Sequence, residues 1–190
     1  MNTINIYDQT FQQIDYTVTK FAAGMYEDCV FKQCNFSNTS LVDAAFINCS
    51  FDSCNLSLCN LTKTGFRDVE FKDCKMLGLL FYNCNTFALA ATFTGCNLKH
   101  ASFFDLKMKK TVFKKTQLNE VDFTGCDLSN AVFDDCDLTD AKFENTVLEK
   151  ADFRMAYNFN INPVNNRIKK AKFSNDGLAG LLNQFDIDIS

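Results

Sequence analysis

The chain has 190 residues, 47% of them apolar, with twenty-one Phe, ten Cys, one Pro, one His, no Trp and a formal charge of −4. That apolar share excludes wholesale disorder, and the length suits one domain with a substantial core. The negative balance argues against general nucleic-acid binding, which draws its affinity from Lys and Arg on phosphates.

The chain opens on "MNTINIYDQT", which has neither a basic nor an apolar leader segment. No apolar run approaches the roughly 18 residues of a membrane span, so the expected setting is the cytoplasm. From Ile6 every fifth residue is large and apolar: Phe11, Tyr16, Phe21, Tyr26, Phe31, Phe36, Leu41 and on to Met76 and Phe81. In a helix a step of five advances about 140° and scatters these residues round the axis. In an unbroken strand an odd step alternates faces, whereas residues two apart share one. The solution is two inward residues and then a bend, repeated, so that the chain coils and its coils stack as a solenoid. The second inward position, two before most centres, is small or a thiol, and all ten cysteines stand there. No zinc-like Cys/His spacing accompanies them, so they read as small buried residues, with no cofactor or metal expected.

Near "NTFALAAT" the phase slips by two residues, a break expected at 85–92, where Phe87 and Leu89 compete for the interior. Phe87 is therefore a candidate partner contact, since irregular loops carry function more often than scaffold does. From Phe93 the period resumes through Leu98, Phe103, Met108, Phe113, Leu118, Phe123, Leu128, Phe133, Leu138, Phe143, Leu148 and Phe153. The residue after every fourth centre runs Lys32, Asp52, Lys72 and later Lys114, Asp134, Arg154, an alternation of sign expected if residues twenty apart are neighbours on adjacent coils. Four faces per coil follow, with one Phe column from Phe11 to Phe173 in a rod of about eight coils and roughly 40 Å. Each inward Phe or Leu contributes about 1.5 to 3 kcal/mol of gross burial, mostly offset by chain entropy.

The pentads "CDLSN", "CDLTD", "AKFEN" and "ADFRM", at 126, 136, 141 and 151, resemble the A(D/N)LXX pattern of the pentapeptide-repeat family. The resemblance implies an all-β fold, the right-handed quadrilateral β-helix, and supplies the handedness that the period leaves open. The earlier half keeps the period but has Cys or Val where the family pattern has Ala. The expected organisation is a β-helix over 1–173, with the break at 85–92 and an irregular coil at 157–170, followed by a C-terminal cap and dimerisation segment at 174–190.

The second run is acidic: Glu120 to Asp152 holds ten carboxylates against Lys142 and Lys150, a net −8 over 33 residues. Over about 8 Å of rod this rivals duplex DNA, which would carry about −5, although the whole rod does not. Glu120, Asp122, Asp137, Asp140 and Glu144 are the candidate partner-binding carboxylates, with Asp134 expected to be neutralised by Lys114 and Arg154. The competing reading is a solvated repeat face whose Asp residues suit bends. Basic patches at Lys107–Lys115 and Arg167–Lys172 could meet an acidic partner or simply balance charge. His100, the sole histidine, is outward and stands in no nucleophile, phosphate-loop or paired-carboxylate motif, so no enzyme is expected.

After Phe153 the pattern weakens through "NINPVNNRI" and returns at Phe173. Leu178, Leu181, Leu182 and Phe185 stand at i, i+3, i+4 and i+7, the spacing of a short amphipathic helix that Gly177 and Gly180 weaken. Ile187 and Ile189 alternate as in a strand. Such a segment caps the exposed last coil and can also form a two-fold dimer through Leu178, Leu181, Leu182, Phe185 and Ile187. "NINPVNNRI" followed by this Leu-rich and Ile-rich ending is similar to the C-terminus of immunity proteins against a gyrase-poisoning peptide, and to the quinolone-resistance (Qnr) pentapeptide-repeat proteins. That resemblance implies a homodimer acting on DNA gyrase or topoisomerase IV as a partial mimic of DNA, with no direct nucleic-acid or membrane contact. The quinolone-resistance members have longer loops at two places that this chain lacks, so the immunity type is the better match. The alternative is a structural or adaptor rod for another protein partner.

Overall fold

A computed structural model describes residues 4–185, 187 and 188. Four faces make each coil, and they are numbered here in chain order by their centres. Face 1 is centred on Ile6, Tyr26, Phe46 and Phe66, face 2 on Phe11 and its column, face 3 on Tyr16, Phe36 and Leu56, and face 4 on Phe21, Leu41 and Leu61. Neighbouring coils pair in parallel with a register of twenty, as in Phe31↔Phe51 and Lys32↔Asp52. The register becomes twenty-two across Phe71↔Phe93 and returns to twenty at Phe93↔Phe113. The additional residues lie between the Gly65↔Asn85 bridge and the Val69↔Ala91 pair.

The core is a set of aromatic stacks running along the rod. On face 2, Phe11, Phe31, Phe51, Phe71, Phe93, Phe113, Phe133, Phe153 and Phe173 stack in turn, with ring centroids 4.6–5.4 Å apart. On face 4, Phe81, Phe103, Phe123 and Phe143 do the same at 4.5–5.3 Å. Adjacent columns meet edge to face, as Phe113 meets Phe123. Stacked and T-shaped contacts together suit the ring quadrupoles and exclude water from the axis.

The inward thiols fill the corners between these columns. Cys54 Sγ lies 3.4 Å from the carbonyls of both Phe31 and Asp52, and Cys136 Sγ lies 3.3 Å from that of Phe113. Thr116 and Thr146 place their hydroxyls on the equivalent carbonyls. The position therefore takes a small residue with a weak donor, or Ala, without leaving an unpaired polar group. All ten thiols are buried and free.

The bends have a common cause. The second residue after most centres adopts a left-handed backbone, as at Asp43 (φ 61°), Asn130 (φ 60°) and Asp140 (φ 56°). Asp, Asn and Gly tolerate that region best, which is why they recur there. Most of these residues are held by the backbone ladder: the N–H of Glu120 donates to Thr139 O at 2.9 Å, and that of Asp105 to Thr124 O at 2.9 Å. Ladder hydrogen bonds on both sides offset a conformational cost of about 1 kcal/mol per bend.

An outward Asp or Asn before the centre favours a turn over a strand, although turns also form without one, as at Lys107 and Val147. Where Asp or Asn precedes the centre, its side chain accepts the N–H two residues on, as Asn55 does from Ser57 and Asp127 from Ser129. This closes a side-chain-capped turn in place of an extended stretch. Face 2 shows both outcomes. With Val at that position the chain is a strand at Val112–Lys114 and Val132–Asp134, but at Asp152, whose carboxylate accepts the N–H of Arg154, it becomes a turn.

The irregular coil also closes on side-chain amides. Asn166 occupies an inward corner, accepting the N–H of Thr146 at 2.9 Å and donating to the carbonyls of Phe143 and Asn162. Two expectations for the last segment are corrected. Leu178–Leu181 and Asn183–Phe185 form two 3-10 turns rather than an α-helix. Ile187 lies in no strand, and Ile189 falls outside the described residues. Gly177 and Gly180 explain the first correction: a Cβ on either would strike Phe159, and Ile161 N–H donates to Gly180 O at 2.9 Å. The segment is shaped by close approach to the last coil, which the i, i+3, i+4 spacing does not encode.

Candidate functional site

The repeat distributes the carboxylates between faces with different surroundings. On faces 1 and 2 they meet cations: Lys109–Asp127 at 3.1 Å, Lys114–Asp134 at 3.5 Å and Arg167–Glu149 at 2.7 Å. Arg154 does not join Lys114 on Asp134. It pairs instead with Asp152 at 2.7 Å, two residues back on its own turn, and Lys172 approaches the same carboxylate at 3.8 Å. Much of the raw acidity between Glu120 and Asp152 is thus neutralised along two faces.

On faces 3 and 4 the pattern differs. Glu120 and Asp140 occupy the corner between them on successive coils, with Asp122 and Glu144 just beyond on face 4 and Asp137 on face 3. Among the described residues none of these five forms an ion pair with Lys or Arg. Glu120 is 3.3 Å from His100 Nδ1, the residue one coil earlier on the same corner. Lys142 is the coil neighbour of Asp122.

These carboxylates are not equivalent. Asp137 is part of the scaffold: it accepts from the N–H and hydroxyl of Thr139 and from the amides of Asn119 and Asn158, at 2.7–3.1 Å. Partial burial disfavours its charge, but hydrogen bonds from the Thr139 side chain, Asn158, Asn119 and the Thr139 backbone outweigh that and pull the carboxyl down to about 2. Asp122 caps its own turn through the N–H of Thr124. Asp140 sits at a bend that suits Asp in any case. Glu120 holds φ 55°, a bend that Gln, Lys and His also occupy along the rod, and its carboxylate closes no turn. Neither burial nor bend chemistry accounts for a glutamate there.

Phe87 is 70% exposed, with the Arg67 guanidinium 5.2 Å from its ring centroid. Its N–H is held by Asn85 Oδ1 at 3.0 Å, and Leu89 instead packs against the core. In the last segment Leu181 packs on the core while Leu178, Phe185 and Ile187 are exposed.

A second group was not anticipated. Leu58, Leu77, Leu80, Tyr82 and Phe104 are all exposed and lie on consecutive coils around the same corner of faces 3 and 4. Their signal in the sequence is plain in hindsight: each is a large apolar residue out of phase with the inward positions.

No group of three or more His, Cys, Asp or Glu among the described residues is placed to hold a metal. No helix among them is long and apolar enough to cross a membrane.

Comparison with known proteins agrees with this architecture. No curated protein sequence matches the chain significantly. Among solved structures it is similar to full-length QnrB1, a plasmid-mediated fluoroquinolone resistance protein, with 16% identity and a TM-score of 0.63 over 97% of this chain and 100% of that one. It is also similar to HetL, a pentapeptide-repeat protein involved in heterocyst differentiation regulation in the cyanobacterium Nostoc sp. strain PCC 7120, with 15% identity and a TM-score of 0.61 over 90% and 85%. The pentapeptide repeat region pattern itself matches residues 25–90 and 81–153. With that match, the twenty-residue register and four inward columns, the chain belongs to the pentapeptide-repeat family and has its right-handed quadrilateral β-helix.

Proposed function

We propose that this protein is a non-enzymatic binder of DNA gyrase or topoisomerase IV, acting as a homodimer that covers part of the enzyme's DNA-binding surface and so protects or modulates it. The observation that carries the reading is the edge between faces 3 and 4, where carboxylates without Lys or Arg partners recur on successive coils. A surface built to receive duplex DNA meets such a row as it meets phosphates, through Lys and Arg. The similarity to immunity-type and quinolone-resistance endings, and the fold shared with QnrB1, support the choice of partner. The exposed Leu178, Phe185 and Ile187 support a two-fold contact at the C-terminal end.

The test is direct binding of purified gyrase by the full chain and by Glu120→Gln/Asp140→Asn, which removes charge while keeping shape. The reading expects affinity to fall at least about tenfold at low salt, with unchanged thermal stability. Equal affinity would move the partner surface elsewhere. No binding by the wild-type chain would leave the protein an adaptor rod for a different partner.

A further inference from the structure

Along its phosphate edge duplex DNA presents no large apolar side group, yet the corner that carries Glu120 and Asp140 does. Going back along the rod, the corner column reads Asp140, Glu120, His100, Gly78 and Leu58. Leu58 is 60% exposed at φ 59°. A leucine gains nothing from that backbone region, and here it buries little. Its side chain lies over Gly78, where an added Cβ would come within 2.9 Å of Leu58 Cδ2. Gly78 therefore makes room for the leucine.

Around this point Leu77 precedes Gly78 on face 3, and Leu80 and Tyr82 follow on face 4. Phe104 stands one coil above Tyr82, since Phe81 and Phe103 stack beneath them with centroids 4.5 Å apart. Five large apolar side chains thus lie around one corner on adjacent coils, on the outside of a rod whose inward positions are already filled. Lys99 borders the group beside Leu77, and the next two coils bring Glu120, Asp122 and Asp140 on the same two faces.

We infer that Leu58, Leu77, Leu80, Tyr82 and Phe104 form an apolar docking surface for the same basic, DNA-binding protein surface that receives the carboxylate edge, filled by an apolar residue that the partner carries beside its Lys and Arg side chains. The inference rests on the reading above and adds to it a salt-insensitive half. The argument is charge complementarity and continuity: one corner grades from apolar to acidic over adjacent coils, so a partner groove aligned with the rod meets both. The acidic part steers and orients, while the apolar part supplies affinity and distinguishes this protein from DNA itself. Tyr82 and Phe104 are the anchors, because aromatic residues dominate such contacts.

The experiment measures affinity of the full chain for purified DNA gyrase at low and at high salt, for wild type, Tyr82→Ser/Phe104→Ser and Glu120→Gln/Asp140→Asn. Thermal melting of each variant verifies folding. The apolar variant is expected to lose about 10- to 100-fold at both salt concentrations with an unchanged salt slope. The charge variant is expected to lose affinity at low salt and to converge on wild type at high salt. Wild-type affinity in a folded Tyr82→Ser/Phe104→Ser protein overturns the docking surface and leaves the carboxylate reading standing. Absence of binding by wild type overturns both.

Discussion

The coils before the two-residue insertion and those after it share the face-2 Phe column, the inward thiols and the left-handed bends, and differ on face 1 and in what the corner of faces 3 and 4 presents outward. Before it, face 1 is centred on Tyr26, Phe46 and Phe66 and pairs as a strand in each coil. After it, the centres are Met108, Leu128 and Leu148, and the face is made of turns. Outward on the corner of faces 3 and 4, the earlier coils and Phe104 present apolar groups, and the later ones carboxylates. The difference teaches that the interior tolerates a change of register and of side chain so long as one column continues, while each outward position is free to be set by a partner.

The comparison breaks if the two halves do not share a core. Phe51→Asp and Phe113→Asp, one in each half and both fully buried, are each expected to cost more than about 4 kcal/mol and abolish cooperative unfolding. Chemical denaturation followed by circular dichroism reads this, and survival of either variant would mean that its half is not packed around that column.

A smaller effect separates scaffold from free carboxylates within the acidic half. Asp137→Ala is expected to cost about 1–2 kcal/mol, because four donors lose their acceptor, whereas Asp140→Asn stays within about 0.5 kcal/mol. Equal effects would erase the distinction drawn between the two residues.

The same contrast has a pH signature. The Asp137 carboxyl titrates at about 2, below its ordinary value of 3.8, so its contribution is present above 3.8 and is lost as the pH falls towards 2. Melting temperatures over that range should fall less for Asp137→Asn than for wild type. Parallel curves would show that the hydrogen bonds around it do not favour the charge.

The smallest expected signal is chemical. Burial pushes the Cys136 and Cys126 thiols up to about 12 and the Cys49 thiol up to about 11. A thiol reagent at neutral pH should therefore label the thiols of both halves only on unfolding. Rapid native labelling confined to one half would show that its corners open.

Most of the fold was legible because the period of five is enforced by burial, and the sign alternation of Lys32, Asp52 and Lys72 reports the coil length directly. The C-terminal segment reads as an α-helix because 3-10 and α turns share much of their spacing, and the purpose of Gly177 and Gly180 is set by Phe159, a residue from another coil. The pairing of Arg154 was missed because it depends on the turn that Asp152 closes. Counting charges did not separate Asp137, which serves a turn, from Glu120, which does not. The apolar corner carries no periodic signal, because Tyr82 and Phe104 stand one residue after the inward phase, where burial imposes no period.

The most direct test is a supercoiling assay of purified DNA gyrase with and without a gyrase poison, titrating the wild-type protein over a wide range. The account predicts relief of poisoning, or direct inhibition at high concentration, that Glu120→Gln/Asp140→Asn reduces. Unaltered supercoiling and unaltered poisoning at every concentration would contradict it.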